Sequence, residues 1–370
     1  MIPGTPRSPG IPGTPRTPGI PGTPRTPGLD LSHPRRIHIV GVGGMAMSGI
    51  AAILARLGHT VSGSDLKAWR GLERLRLLGV EVHVPHDASR LPAELDAVVV
   101  STAIPASNPE VVTARERGVP VLRRSEALAS IVDLRRTVAI SGTHGKTTTS
   151  TMITLVLRAA GWQPSFLIGG EPNEVGSNAA YDEGEWLVVE ADESDGTFLE
   201  LEPEVAVVTN VEPDHLEHYG GFDALTASFD RFLATASGAR VVCADDAVAA
   251  RLGHRHAAVT YGTAEDAEYR MVDLVGERSG VRFALEHGGR RLGEVVLPVP
   301  GLHNARNACG AVVAGLVVGA PFAPLARALA RYGGVARRFQ FRGERGGVTF
   351  VDDYAHLPTE VRAALAAARD

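Results

Sequence analysis

The sequence predicts an α/β fold built from two wound units in series. Two glycine-rich turns, Gly41-Val-Gly43-Gly44 and Ser141-Gly-Thr-His-Gly-Lys-Thr-Thr-Thr149, each stand between a short apolar run and a helix-like stretch. Around them, Val- and Ile-rich runs alternate with helix-like segments, as in parallel sheets with a helix between successive strands.

Composition bounds the rest. A chain of 370 residues has room for two or three domains, and 44% hydrophobic with 21% charged residues is an ordinary globular balance. A formal net charge of −5 argues against a nucleic-acid binder that works by neutralising phosphates. Cys243 and Cys309 show no motif spacing and read as free thiols of a reducing cytoplasm. No apolar run reaches the roughly 18 residues that span a bilayer, and the N-terminus lacks the apolar core of a signal peptide. The expected location is cytoplasmic.

Residues 1–34 are expected to form a disordered tail. After Met1 a nine-residue unit, Ile-Pro-Gly-Thr-Pro-Arg-(Ser/Thr)-Pro-Gly, occurs three times. Its prolines and glycines leave few backbone donors and no apolar periodicity with which to bury a core.

The first unit is placed at 35–133. Ile37–Val40 reads as a buried strand, the glycine turn follows, Ala46–Leu57 reads as a helix, and Thr60–Asp65 as a second strand ending in a carboxylate. Strands at Ala97–Ser101 and Pro120–Leu122, with helices near 71–78 and 108–117, complete a doubly wound parallel sheet. Gly41, Gly43 and Ala46 satisfy the dinucleotide fingerprint, and Asp65 lies where a ribose-binding acid is expected. Read alone, this unit suggests NAD; a similar turn also occurs in βαβ units that bind no dinucleotide. Ligands of such sheets lie at the carboxyl ends of the strands, which makes Gly41, Gly43, Gly44, Met45, Ser64, Asp65, Ser101, Thr102 and Ala103 the candidate contacts.

The second unit is placed at 134–322. Thr137–Ile140 reads as a strand and Met152–Ala160 as a helix, with the phosphate cradle between them. Gly142 and Gly145 allow a tight turn whose N–H groups face phosphates, among them those of Thr143, His144 and Thr148; Lys146 supplies a fixed charge and Thr147 a hydroxyl for Mg2+. Ile140 stands where the usual motif has its first glycine, so the loop is a shortened variant. These features predict a central P-loop ATPase-type α/β domain that takes a nucleoside triphosphate. Strands at Glu185–Glu190 and Val205–Asn210 run into Glu190-Ala-Asp-Glu-Ser-Asp195 and Val-Glu-Pro-Asp-His215. An acidic cluster is usually a solvated loop, but here both clusters share a sheet edge with the phosphate loop. Glu190 and His215 are therefore expected as metal ligands.

With these residues in view the sequence resembles the ATP-dependent ligases of bacterial cell-wall synthesis. The matching stretches are Gly41–Ala51, Val61–Asp65, Ser101–Pro105, Ser141–Thr149, Glu190–Asp195, Thr209–Tyr219, Gly301–Asn307, Arg337–Phe339 and Asp352–His356, in family order. The resemblance implies a Rossmann-like N-terminal domain whose glycine turn faces the uridine diphosphate of UDP-N-acetylmuramate, which displaces NAD. It further implies L-alanine as co-substrate, an acyl-phosphate intermediate, and a C-terminal Rossmann-like domain beginning near 323. By the same resemblance Lys146 contacts the β and γ phosphates, Thr147 and Glu190 hold magnesium, and His215 binds a second ion. His303, Asn304 and Asn307 match the segment beside the adenine and ribose. Arg338 and Asp353 match residues that close over the nucleotide, and His356 one near the reacting groups. Without the resemblance, His303 reads as a turn histidine and Arg337-Arg338 as a surface pair.

The sequence departs from the family at Ala46, where glycine is usual, at Leu357, where a second histidine is usual, and at Gln340, where an acid is more common. It also ends at Asp370, inside the expected helix Thr359–Arg369, where the family continues. The third domain is thus expected to be incomplete at 323–370 and the chain to have little activity alone. The competing readings are a ligase that attaches a preformed tripeptide to UDP-N-acetylmuramate, a non-catalytic fragment that binds a UDP-sugar or ATP, and an NAD-dependent oxidoreductase. The last leaves Lys146, Glu190 and His215 unexplained.

Overall fold

The computed structural model describes residues 28–68 and 70–369. The proline- and glycine-rich repeats up to residue 27 lie outside the described residues. Residues 28–34, which the expected tail included, are described. They form no helix or strand, yet Leu31 is buried in a core and Asp30 pairs with Arg35 at 3.1 Å. A leucine that packs and an aspartate that finds a guanidinium anchor this stretch to the first unit.

The first sheet is wholly parallel. Its strands are β1 (Arg36–Val40), β2 (Thr60–Ser64), β3 (Glu81–His83), β4 (Ala97–Val100) and β5 (Val121–Arg123), in the order β3-β2-β1-β4-β5. Helices α1 (Met45–Arg56), α2 (Arg70–Leu77), α3 (Pro109–Glu116) and α4 (Arg124–Val132) accompany them. Ile37, Ile39, Val98 and Val99 have no exposed surface, as expected of strands covered on both faces. Strand order reverses beside β1, so the crevice at its carboxyl end, where Gly41–Gly44 lies, is the natural ligand position.

The second sheet contains β6 (Arg136–Ser141), β7 (Ser165–Leu167), β8 (Ala179–Ala180), β9 (Trp186–Glu190), β10 (Val205–Val208), β11 (Ala239–Cys243), β12 (Val259–Gly262), β13 (Tyr269–Glu277), β14 (Gly280–His287) and β15 (Arg290–Leu297). Their order is β15-β14-β13-β12-β11-β10-β6-β9-β7-β8. Strands β7, β9, β6, β10, β11 and β12 are parallel, β13 joins them in parallel, and β14 and β15 extend the sheet antiparallel. Helices α5 (Lys146–Ala159), α6 (Leu216–Tyr219), α7 (Phe222–Thr235), α8 (Ala247–Arg255), α9 (Leu302–Val317) and α10 (Phe322–Leu329) complete this unit.

Side-chain alternation along the central strands splits the interior into two cores. Ala139, Leu187, Val189, Ala206 and Val208 face a core shared with Phe198, Phe229, Phe232 and the first unit's Ile37, Ile39 and Ile50. Val138, Ile140, Val188, Val205 and Val207 face the opposite core, which α5, α9 and α10 cover. The first two units therefore share one apolar interior. Burying aliphatic side chains of this size contributes about 1.5–3 kcal/mol each.

The boundary expected near residue 323 falls within helix α10. Its Leu325 and Leu329 are buried in the second core together with Tyr332 and Val335. The third part thus starts after Val335, with the hairpin β16 (Gln340–Arg345) and β17 (Val348–Asp352) and helix α11 (Pro358–Arg369). Phe341, Val348, Phe350 and Val351 on the hairpin are exposed. Among the described residues no helix is long and apolar enough to cross a membrane.

Candidate functional site

Strand β6 delivers the chain to Gly142 at the centre of the second sheet's carboxyl edge. Register aligns the groups there: Ile140 lies opposite Glu190 of β9, and Ser141 opposite Val208 of β10. Gly142 has φ 136°, and a side chain on it would collide with the Thr209 hydroxyl. Gly145 has φ 80°, and a Cβ there would stand 2.5 Å from Asn307 Oδ1. Both positions thus demand glycine for backbone angle and for space. Asn210 fixes the loop between them, accepting from the His144 N–H at 2.8 Å and donating to its carbonyl at 3.0 Å.

Lys146 opens α5 and curls back over the loop. Its ammonium donates to the Gly142 carbonyl at 2.8 Å and the Thr143 carbonyl at 3.3 Å, and pairs with Glu193 Oε1 at 2.7 Å. The Thr147 hydroxyl donates to Glu190 Oε1 at 3.0 Å, and Glu190 Oε2 accepts from the Gly169 N–H at 2.6 Å. Burial alone would lower the Lys146 pKa, but Glu193, Glu190 and Asp192 outweigh it and hold the ammonium above the usual lysine range. Burial pushes Glu190 and Glu193 upward, with Lys146 opposing it. Three carboxyl groups face one ammonium, and Glu193 Oε2 is buried without a hydrogen-bond partner.

That excess of oxygen donors suits a divalent cation. Among the described residues no group of three or more His, Cys, Asp or Glu side chains forms a cage. Magnesium, however, commonly uses one or two carboxylates and completes its shell with phosphates and water. Thr147 and Glu190, in contact beside the cradle, fit that donor set. His215 does not join them by a hydrogen bond. Its ring lies 3.3 Å from Asp214 Oδ2 and its backbone takes φ 51°, an uncommon conformation for a residue with a side chain.

Helix α9 brings the next predicted residues to the loop. Asn307 packs on Gly145, while Asn304 donates to the Pro300 carbonyl at 2.7 Å. His303 is held low chiefly by burial, with Asp353 opposing that shift. Asp353 is engaged in shaping its own segment, where it accepts from the N–H groups of Phe339 and Ala355 at 2.7 Å. Arg338 stacks over Tyr354, 5.7 Å from the ring centre, and His356 is exposed, its Nδ1 3.2 Å from Glu360.

Several residues of this network were not singled out from the sequence. Glu193 is the charge partner of Lys146, Tyr219 donates its hydroxyl to the Glu193 carbonyl, and Glu212 and Glu360 flank the His144 ring at 3.3 and 3.1 Å. A sequence signal existed for Glu360: it is the third residue of a helix that begins with proline, where an acid can accept N–H groups of the first turn.

At the first sheet the glycine turn is held from below. Gly41 has φ 79°, and both Gly41 and Val42 donate to the Ser64 carbonyl. Asp65 Oδ2 accepts from the Gly43 N–H at 2.8 Å, so the carboxylate that suggests a ribose contact also shapes the turn. Ala46 lies inside α1 and is not among the residues with positive φ, which removes the need for glycine. No side chain caps α1 at Gly44, leaving its first turn available to an anion. Ser101, Thr102 and Ala103 form the turn after β4, with Thr102 and Ala103 exposed.

Ser64 is different. Its hydroxyl is fully buried, bonded to His86 at 2.7 Å and to Glu110, so the side chain supports the turn from inside. Burial alone would raise the Glu110 pKa, but hydrogen bonds from His38, Ser64 and the Asp87 N–H overcome it and bring it from 4.5 to about 2. A carboxylate with a depressed native pKa stabilises the fold above its unfolded value, and that contribution is lost as pH falls through the native one. Glu110→Gln should therefore cost up to about 3 kcal/mol at pH 7 and progressively less toward pH 2. Urea unfolding across that range checks this, and a penalty independent of pH would refute it.

A strand, a glycine loop and a helix carrying lysine and threonine, with an acid on the neighbouring strand, place the protein in the P-loop class of nucleotide-binding α/β proteins. Comparison with known proteins narrows the class. Family-wide patterns described as "Mur ligase family, catalytic domain", "Mur ligase middle domain" and "Mur ligase, glutamate ligase domain" match residues 36–136, 140–315 and 337–370. The chain belongs to the Mur ligase family.

Among its relatives is the UDP-N-acetylmuramate--L-alanine ligase of Solidesulfovibrio magneticus, 46% identical over 90% of this chain and 74% of that protein. The enzyme of the same name from Acidothermus cellulolyticus is 49% identical over 92% of this chain and 73% of its own length. Of solved structures, the UDP-N-acetylmuramate-alanine ligase of Thermotoga maritima has a TM-score of 0.80 and 32% identity, covering 90% of this chain and 77% of that one. The UDP-N-acetylmuramate:L-alanyl-gamma-D-glutamyl-meso-diaminopimelate ligase of Neisseria meningitides has a TM-score of 0.74 and 27% identity, covering 82% of this chain and 100% of that one.

Proposed function

We propose that this protein uses ATP to join L-alanine to UDP-N-acetylmuramate, forming an amide bond in a cytoplasmic precursor of the cell wall. The observation that carries the reading is the convergence of Lys146, Thr147 and Glu190 at one sheet edge, in a chain that aligns over 90% of its length with a UDP-N-acetylmuramate--L-alanine ligase. The same alignment favours L-alanine over a preformed tripeptide.

The loop N–H groups and Lys146 bind the β and γ phosphates and offset charge that builds up as the γ-phosphoryl group moves. Magnesium, held by Thr147 and Glu190 with His215 assigned to a second ion, would supply further neutralisation when bound. The uridine diphosphate lies against Gly41–Met45 and the turn Ser101–Ala103. A carboxylate oxygen of the sugar's lactyl group attacks the γ-phosphorus and ADP leaves. The alanine amine then attacks the acyl carbon, phosphate leaves, and the amine gives up a proton. Carboxylate oxygen is a poor leaving group and phosphate a good one, which is why ATP is required. Asn307, His303 and Asn304 line the adenosine side, and Arg338, Asp353 and His356 close the site from the third part of the chain.

The test is phosphate release by the 370-residue chain with Mg2+, ATP, UDP-N-acetylmuramate and L-alanine, omitting each substrate in turn. Release that requires all three supports the proposal. Release with the tripeptide L-alanyl-γ-D-glutamyl-meso-diaminopimelate in place of L-alanine would replace it with the recycling reaction. Binding of UDP-N-acetylmuramate and ATP without turnover would reduce the chain to a binding module.

A further inference from the structure

Helix α11 meets the phosphate loop through a closed set of polar contacts around the His144 ring. Glu360 Oε1 lies 3.1 Å from His144 Nδ1, and Glu212 Oε2 lies 3.3 Å from Nε2 on the other side. Thr359, beside Glu360 on the helix, donates to the same Glu212 oxygen at 2.7 Å. The first turn of α11 is thus attached to the loop at two points. The second oxygen of Glu360 accepts from the N–H groups of His356 and Leu357 at 3.0 and 3.3 Å and lies 3.2 Å from His356 Nδ1. Arg338 Nη1 is 3.9 Å from Oε1. Glu360 is largely buried, and the His144 backbone is fixed by Asn210 and Thr209.

We propose that Glu360 is a positioning residue that links the phosphate loop to the third part of the chain: by holding the His144 ring it keeps His356 and Arg338 registered on the nucleotide. This rests on the phosphate site assigned above. Among the described residues Glu360 is the one carboxylate in contact both with a loop residue and with two of the groups proposed to close the site. A helix cap alone would need only the N–H contacts at residues 356 and 357. The approach to His144 is an additional, directional contact between segments 216 residues apart in sequence.

The experiment is amide hydrogen exchange of residues 353–369, with and without Mg-ATP, in the wild-type chain, Glu360→Gln, His144→Gln and the double variant, alongside calorimetric titration with Mg-ATP. Without nucleotide, each single variant should speed exchange of 353–369 by about tenfold or more while β1–β5 stay unchanged. The double variant should match the larger single effect, because both remove the same contact. Mg-ATP should slow exchange of 353–369 in the wild type and fail to do so in Glu360→Gln, although that variant still binds the nucleotide and keeps a carbonyl oxygen for the cap. Two single effects that multiply, or full nucleotide protection in Glu360→Gln, would overturn the proposal. Absence of Mg-ATP binding by the wild type would instead refute the phosphate-site reading, and the nucleotide-free cycle would still decide the contact.

Discussion

Replacing Lys146 by alanine is expected to abolish phosphate release, with a loss of about 10²- to 10³-fold or more, as for removal of a group aimed at developing transition-state charge. The structure adds a complication that a bare motif would not. Lys146 is the counter-charge of Glu193, which is almost fully buried, and it also faces Glu190. Removing one partner of a buried pair costs about 3–5 kcal/mol unless the survivor takes up a proton. Part of any loss in Lys146→Ala could then come from a disturbed loop. The double variant Lys146→Met with Glu193→Gln separates the effects, since it removes both charges and keeps similar volumes. It should unfold at a urea concentration near that of the wild type yet remain inactive. Phosphate release at the wild-type rate in that variant would remove Lys146 from the phosphate site.

Glu190→Gln should have the next largest effect, and its signature is a shifted magnesium requirement. The side chain accepts from Thr147 on one oxygen and from the Gly169 N–H on the other. Glutamine preserves the shape but lacks the charge and one acceptor. The Mg2+ concentration for half-maximal phosphate release should rise by at least about tenfold, because ligand charge sets the affinity of oxygen sites for hard cations. Because burial already raises the Glu190 pKa, the wild type should itself need more Mg2+ as pH falls, whereas the glutamine variant should lose that dependence. An unchanged Mg2+ requirement in the variant would place the metal elsewhere.

Much of this site was legible in the sequence because its groups sit at strand ends whose position follows from local pattern. Val- and Ile-rich runs covered on both faces announce β1, β4, β6, β9 and β10, and a residue just after such a run must lie at the carboxyl edge. Glu190 is placed at that edge by the end of its strand, and Lys146 and Thr147 by the glycine loop that follows another. The segment 239–297 was not. Strands β13 to β15 carry arginines and acids on an exposed face and pair antiparallel, so they lack the apolar runs that betray a parallel strand. The partners Glu193, Glu212 and Glu360 were missed because a buried charge pair is fixed by folding across long separations. Lys146 and Glu193 are 47 residues apart, and their distance of 2.7 Å depends on how β6 and β9 align. The boundary expected near residue 323 falls inside α10 for a similar reason: apolar spacing on a helix shows that one face is buried, but not which core receives it.

The loop 169–178 bears on how ligands influence one another. At its start the Gly169 N–H meets Glu190; at its end Asn178 donates to the carbonyl of Met45, the first residue of α1 after the glycine turn, at 2.8 Å. Between them Asn173 donates to the Gly333 carbonyl at 2.7 Å, just ahead of the third part of the chain. One short segment is thus tied to the carboxylate beside the phosphate loop, to the turn proposed to face the sugar nucleotide and to the root of the segment proposed to close the site. Thermodynamic reciprocity then imposes a condition on any cooperativity transmitted through it. Whatever factor ATP applies to the affinity for UDP-N-acetylmuramate, UDP-N-acetylmuramate must apply to the affinity for ATP. Shortening the Asn178 side chain should bring both factors toward unity together.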